Sequence, residues 1–223
     1  MNSRDKILSK IKEGLQTKST LRNTDSSADE RIESFLRNPA SADKESLWIQ
    51  FSEELRKIAG EYHRFSSLEE AYGFIRTLLS AENASAAASD LSEAAGGIAE
   101  KLIENGVAIV APGELEGSER KKIIAGIHFS IVEAVCAVAD IGSLVFTMDH
   151  SGTSYPHFLC GNTIALVKKE NIAPNQFALM GMLDKEQMKN MFFVAGPSRT
   201  ADIEKVLVLG AHGPGRLIVI TIG

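Results

Sequence analysis

The sequence predicts an α/β fold: a mostly parallel sheet flanked by helices, with an N-terminal helical extension. Three observations lead there. Short apolar runs bounded by turn residues recur from Val107 to the C-terminus. Helical patterns fall between several of those runs, as crossover connections require. The segments before Gly106 carry mainly helical periodicity.

In chain order, Ile7, Leu8, Ile11 and Leu15 line one helical face, and Gly14 lies near that helix's end. Thr17 to Ala42 is rich in Ser, Asn, Asp and Arg, with a helical hint at Ile32, Phe35 and Leu36. The division expected is therefore residues 1–42 as helix and mobile arm, and 43–223 as the α/β domain. Leu47, Trp48, Phe51, Leu55 and Ile58 predict a helix that stops at Gly60. Ser67-Leu68-Glu69-Glu70 has capping-box spacing ahead of Ala71, Phe74, Ile75, Leu78 and Leu79. Ala84 to Ser89 is biased towards Ala and Ser and fits either state. Leu91, Ala94, Ala95, Ile98 and Leu102 predict a helix interrupted by Gly96-Gly97 and ended by Asn105-Gly106. Val107 to Val110 suits a strand buried on both faces. Further strands are expected at Ile131–Val138, Ser143–Met148, Thr163–Val167, Met191–Ala195 and Leu217–Ile222, with helices around Ser118–Ala125 and Asp184–Lys189.

Composition excludes several function classes. The 223 residues are 44% apolar and 24% charged, ordinary for a chain that buries a core. A net charge of −5 with scattered Lys and Arg gives no attraction for nucleic acid or an anionic membrane. No stretch approaches the ~20 apolar residues of a membrane span. The charged start, Met1 to Lys6, does not read as a signal peptide. Cys136 and Cys160 make no disulfide framework and fall short of an iron–sulfur ligand set. A cytoplasmic, reduced protein is expected. There is no dinucleotide-binding glycine motif, Walker loop or nucleophile elbow, so any electron-carrying cofactor is expected on another subunit.

Four segments could carry chemistry. Gly196-Pro197-Ser198-Arg199-Thr200-Ala201-Asp202-Ile203-Glu204 follows a strand pattern and precedes a helical one at Ile203, Val206 and Leu207. Such a loop aims free amides and the helix dipole at a ligand. Ser198 or Thr200 would cap the helix, and Arg199 would fork a carboxylate or phosphate. The same residues also fit a plain helix start, with Arg199 pairing Asp202 or Glu204. In Gly210-Ala211-His212-Gly213-Pro214-Gly215, the glycines allow close backbone approach, and His212 either moves a proton or bonds a carbonyl. Asp140-Ile141-Gly142-Ser143 either presents a carboxylate to a cleft or is a simple turn. Asp149 to Cys160 contains His150, His157 and Cys160, but matches no zinc spacing and reads as a polar loop at the cleft mouth, with no metal expected. His63 and His128 stand alone.

The segment Gly196–Glu204, with Leu207-Val208-Leu209-Gly210-Ala211-His212-Gly213-Pro214, closely resembles the C-terminal signature of the LutC/YkgG lactate-utilisation family, the LUD-domain proteins. Asp140-Ile141-Gly142-Ser143-Leu144-Val145 resembles that family's acid-x-Gly-Ser/Thr segment, and Arg4-Asp5-Lys6-Ile7-Leu8 its N-terminal helix. The resemblance implies residues 43–223 as a LUD-type domain with a fold like the NagB/RpiA/CoA-transferase group. It also implies a role beside an iron–sulfur subunit and a Cys-rich subunit in oxidising L-lactate to pyruvate, with the cluster on a partner. In CoA transferases of that fold an acid after a strand attacks the thioester. Asp140 falls in a comparable place but is one methylene shorter than the usual Glu. Where the family commonly has a Leu-Pro-Pro-like stretch this chain has Leu159-Cys160-Gly161-Asn162, and Tyr155 and His157 stand in a region the family often fills with Gly and Arg, departures that leave room for a ligand other than that of the characterised members on a shared scaffold.

The site expected is thus an anion pocket. Arg199 with the Ser198 and Thr200 amides holds the ligand, Gly142, Ser143, Gly196 and Gly213 line it, and Asp140 and His212 border it as catalytic groups. Two other roles fit the same residues. One is a stand-alone enzyme acting on a CoA ester or sugar phosphate. The other is a scaffold that recruits redox subunits through the first helix and the Thr17–Ala42 arm.

Overall fold

The computed structural model describes residues 43–115, 119–148, 154–201, 207–209 and 213–223, with backbone only at 199–201 and 207–209. The expected N-terminal helix, the arm and the 1–42 segment as a whole lie outside the described residues.

The elements run α1 (Lys44–Lys57), β1 (Glu61–Phe65), α2 (Leu68–Ala81), β2 (Ala86–Ser89), α3 (Glu93–Glu104), β3 (Ala108–Val110), α4 (Arg120–Ala125), β4 (Phe129–Glu133), β5 (Cys136–Val138) and β6 (Ser143–Thr147). They continue with α5 (Tyr155–Phe158), β7 (Asn162–Lys168), β8 (Ile172–Ala173), α6 (Gln176–Met182), α7 (Lys185–Lys189), β9 (Met191–Val194), β10 (Arg199–Ala201), β11 (Leu207–Leu209) and β12 (Arg216–Ile222). A six-stranded sheet, ordered β1-β12-β7-β4-β2-β3, is parallel at every pairing. A second sheet, β8-β5-β6-β9, is mixed, and β10 and β11 form an antiparallel pair. The expected α/β architecture with a mostly parallel sheet between helices is what the chain forms.

Alternation along the central strands assigns the two faces. Ile164, Leu166, Ile218 and Ile220 meet Ala71, Ile75, Leu79, Ile98 and Leu102 of α2 and α3. Their neighbours Ala165, Val167, Leu217 and Val219 meet Trp48, Phe51 and Leu55 of α1, with Leu144 and Phe146 of the small sheet. Strands covered on both faces must be apolar throughout, which is why β7 and β12 were legible as continuous runs. Trp48 anchors α1: its indole N–H donates to the Lys169 carbonyl at 2.9 Å, and its ring stacks on Tyr62.

Several expectations need correction. The strand β1 was not anticipated, and Ala86–Ser89 resolves as a strand. Helix α3 runs through Gly96-Gly97 without a break, and Leu91 lies outside it with φ +54°. Strand β3 sits at the sheet edge rather than buried on both faces. The run Ile131–Val138 is two strands in two different sheets, parted at Ala134-Val135. At α2 the cap is half the expected box: Ser67 Oγ accepts from the Glu70 amide, but Glu70 reaches back to Ser66, not Ser67. The reciprocal box forms instead at Asp184 and Gln187, before α7. The largest correction is at Arg199. No helix starts there, because residues 199–201 form a strand paired with 207–209.

The amino ends of the parallel strands are laced by charge. The Arg216 guanidinium binds both Glu61 oxygens and also donates to Glu82 Oε1 at 3.0 Å, while Glu82 Oε2 faces His128 Nε2 at 3.0 Å. The hydrogen bonds from Arg216 hold the Glu61 carboxyl below its usual pKa, against a smaller opposing effect of burial. A depressed carboxyl contributes stability above its unfolded value, near 4.5, that is lost as pH falls through the folded value. Arg216→Ala is therefore expected to flatten the loss of unfolding free energy between about pH 5 and pH 3, as read by urea melts. The pair is a third exposed, so the difference should stay below about 1 kcal/mol. An unchanged slope would contradict this assignment.

Candidate functional site

The order of the parallel sheet reverses between β2 and β4. The chain leaves β2 through α3 towards β3 on one side, and leaves β4 towards β7 on the other. Backbone loops diverge at such a point and open a crevice at the carboxyl ends of the two strands. A cavity of about 520 Å³ lies there, bordered by Asp90, Ser92, Glu133, His157 and Lys168.

The loop after β2 is held by its own polar groups. Ser89 Oγ accepts from the Leu91 amide at 3.1 Å. Asp90 Oδ1 accepts from the Ser92 amide at 3.1 Å and from Ser92 Oγ at 2.6 Å. Asp90 Oδ2 accepts from the Glu133 amide at 3.2 Å, so one carboxylate joins the ends of both diverging strands. Glu133 Oε2 in turn accepts from the Ala94 amide at 2.7 Å and caps α3, where Ser92 makes no side-chain cap. Both carboxylates therefore build the crevice. Leu91, between them, is a non-glycine residue at positive φ and is 48% exposed at the cavity wall. Gly96 lies beneath this turn: a Cβ there would sit 3.3 Å from the Leu91 carbonyl oxygen.

On α5, His157 is 4% exposed, with Nε2 3.5 Å from Asp90 Oδ2. Its ring meets Phe146 and Phe192 edge-on, at centroid distances of 4.8 and 5.2 Å. His157 Nδ1 is buried without a hydrogen-bond partner among the described residues. Lys168, the last residue of β7, supplies a positive charge. It pairs with Glu93 at 2.6 Å, and that pairing raises its pKa. Glu93 is 82% exposed, so the pair is weak and its carboxylate can give way to another.

The residues expected from sequence gather elsewhere. Strands β6 and β9 pair from Thr147–Met191 to Leu144–Val194, and Gly142 and Gly196 each lie two residues beyond the last pair. Both press on α1. A Cβ on Gly142 (φ +58°) would lie 2.4 Å from the Leu55 amide nitrogen, and one on Gly196 (φ +75°) 2.8 Å from the Ile58 carbonyl oxygen. These glycines admit helix backbone. The Ser198 amide donates to the Pro214 carbonyl at 2.8 Å, which joins the two glycine loops, and Gly196, Ser198 and Gly213 border a cavity of about 390 Å³ with Ile58 and Phe158. Ser143 is buried, and its hydroxyl has no partner among the described residues. Asp140 is surface-exposed in a 3-10 turn, yet partial burial of its carboxyl raises its pKa, and Glu54 adds to the rise. Arg199 and Thr200 are backbone positions in β10, and His212 lies outside the described residues.

The two cavities flank opposite ends of β6, with Thr147 at the larger one and Gly142 near the smaller. Four residue steps separate Ser143 from Thr147, about 14 Å of strand. His157, read from sequence as part of a polar loop at a cleft mouth, has a buried ring at the larger cavity. Among the described residues no group of three or more His, Cys, Asp or Glu is arranged to hold a metal ion. Both cysteines are buried, which pushes Cys136 up to about 11 and Cys160 up to about 12.

The LUD domain family model matches residues 49–222, most of the chain. The chain belongs to the LUD-domain family. The chain is 29% identical over 115 residues to lactate utilization protein C of Bacillus pumilus, covering 49% of the chain and 48% of the relative. It is 32% identical over 104 residues to lactate utilization protein C of Geobacillus kaustophilus, covering 44% and 41%. The matched stretch spans about half the length of these relatives or less. A crystal structure of a DUF162 family protein from Deinococcus radiodurans shares the LUD fold. Its TM-score is 0.61 at 15% identity, over 82% of this chain and 99% of that one. No helix among the described residues is long and apolar enough to cross a membrane.

Proposed function

We propose that this LUD domain is the ligand-holding, non-redox member of a cytoplasmic system that oxidises L-lactate or a similar small organic acid to pyruvate. An iron–sulfur subunit and a Cys-rich subunit would carry the electrons. The names of the curated relatives support the substrate class. The thiols support the division of labour, because burial keeps both Cys136 and Cys160 protonated and removes them as ready metal ligands.

The observation that carries the binding site is Lys168, a cation with a replaceable partner in the crevice where the sheet order reverses. Asp90 and Glu133 are already engaged by backbone amides, so the ligand's carboxylate has Lys168 as its counter-charge. A second reading keeps the anion at Arg199, Ser198 and Thr200, lined by Gly142, Ser143, Gly196 and Gly213 and bordered by Asp140 and His212. The Ser198–Pro214 bond that holds the two glycine loops together favours it.

Calorimetric titration of the full chain with lactate, pyruvate and CoA separates the two. Lys168→Met should weaken binding of the small acid by tenfold or more, since a charged hydrogen bond contributes about 1.5–3 kcal/mol. Arg199→Ala should leave it unchanged. The reverse pattern moves the ligand to the second cavity. Turnover of a CoA ester by the lone chain would favour a self-sufficient enzyme instead.

A further inference from the structure

We infer that the larger cavity takes a monocarboxylic acid with an extended apolar tail, longer than a three-carbon acid, and that Leu91 forms the wall against which the tail lies. The inference rests on the reading that this cavity holds an organic acid by its carboxylate.

The sheet order sets the length of the site. Its border includes the ends of four neighbouring strands: Lys168 of β7, Glu133 of β4, the Asp90 turn after β2, and Ala111 and Pro112 after β3. Three strand spacings, about 14 Å, separate the first from the last. Contact with the two end walls takes about 4 Å each. About 6 Å remains, which an extended chain of about six carbons fills at about 1.25 Å per bond. In a three-carbon acid the end carbons are only about 2.5 Å apart. With its carboxylate on Lys168, such an acid does not reach the β3 end. The volume agrees, since 520 Å³ lies in the range of about 300–1,000 Å³ typical of sites that enclose larger organic ligands.

The chemistry changes along that length. Lys168 is the one lysine or arginine at the cavity among the described residues. The carboxylates of Asp90 and Glu133, in the middle, are turned onto backbone amides. At the β2 and β3 ends come Leu91, Ala111 and Pro112, and Glu114, the one charged residue beyond Asp90, is exposed.

Leu91 decides what lies there. Its φ of +54° suits glycine or asparagine and strains a leucine. The side chain is also 48% exposed, so burial in the core does not offset the strain. A strained backbone that holds an apolar side chain open at a cavity wall points to a ligand that covers it. A run of methylenes leading from Lys168 past β4 meets that side chain.

The test is titration of the full chain with propionate, butanoate and hexanoate, for wild type and two variants. Wild-type affinity should rise about threefold with each methylene, somewhat less than full burial of a CH₂ gives, and so about thirtyfold from propionate to hexanoate. Lactate should compete with hexanoate for one site. Leu91→Gly suits the positive φ and should keep the fold, as urea melts check. It should weaken hexanoate about tenfold and propionate much less. Lys168→Met should weaken all three acids alike. Equal affinity for the three acids, simultaneous binding of lactate and hexanoate, or a Leu91→Gly loss that is absent or the same for every acid overturns the inference while the binding site stands. If no acid binds wild type, or Lys168→Met changes nothing, the functional reading fails and this one with it.

Discussion

Gly142→Ala should lower the unfolding free energy by about 4 kcal/mol or more, enough to unfold an ordinary domain in part. Two costs combine. An alanine at φ +58° carries about 1–2 kcal/mol of left-handed strain. The added methyl would also lie 2.4 Å from the Leu55 nitrogen and 2.7 Å from the Glu54 carbonyl carbon, so α1 must move away from the small sheet. Backbone cannot swing aside as a side chain can. Gly106→Ala is the control, with φ +84° and nothing within 4 Å of the new Cβ. It should cost only the strain, about 1–2 kcal/mol. Urea unfolding measures both. Equal losses in the two variants would mean that α1 does not bear on Gly142.

Asp90→Ala should cost about 3 kcal/mol and abolish measurable ligand binding. The carboxylate accepts the Ser92 and Glu133 amides and the Ser92 hydroxyl, and it faces His157. Alanine strands these donors in a largely buried place, at about 1–3 kcal/mol for each unsatisfied group, with the Ser92 groups reached in part by water. It also frees the turn that holds Leu91 at positive φ. Asp90→Asn keeps one acceptor for Ser92 but turns a donor towards Glu133 N–H or His157 Nε2, and should fall between wild type and alanine. Unfolding measurements paired with lactate titration check both effects. An alanine variant as stable as wild type would remove Asp90 from the centre of the crevice.

How far the sequence disclosed this molecule depends on what each strand is made of. Strands β4, β7 and β12 are buried on both faces, so Ile131, Ile164–Val167 and Leu217–Ile220 stand out as apolar runs. Strand β1 is an edge strand, and Glu61 and Arg64 suit its exposure while hiding it from an apolar pattern. Strand β2 is alanine until Ser89, because α3 and its neighbours pack closely there, and alanine carries no strand signal. The crevice depends on β2, so missing that strand meant missing Asp90. The Ser-Asp-Leu-Ser run before an apolar helix was the available clue. Ile203, Val206 and Leu207 have helical spacing, yet Leu207–Leu209 pair with Arg199–Ala201 as strands, a distinction that so few residues do not carry. The sequence suggests Gly142 and Gly196 as the wall of an anion pocket; in the fold each admits backbone of α1.

In the proposed function the small acid sits at the carboxyl ends of β2 and β4. A crystal structure of the full chain grown with saturating lactate tests it most directly. The prediction is density for the acid in the cavity between Asp90 and Lys168, its carboxylate within hydrogen-bonding distance of Lys168 Nζ. Lactate seated between the Gly196–Ser198 and Gly213–Pro214 loops, or in neither cavity, would contradict it.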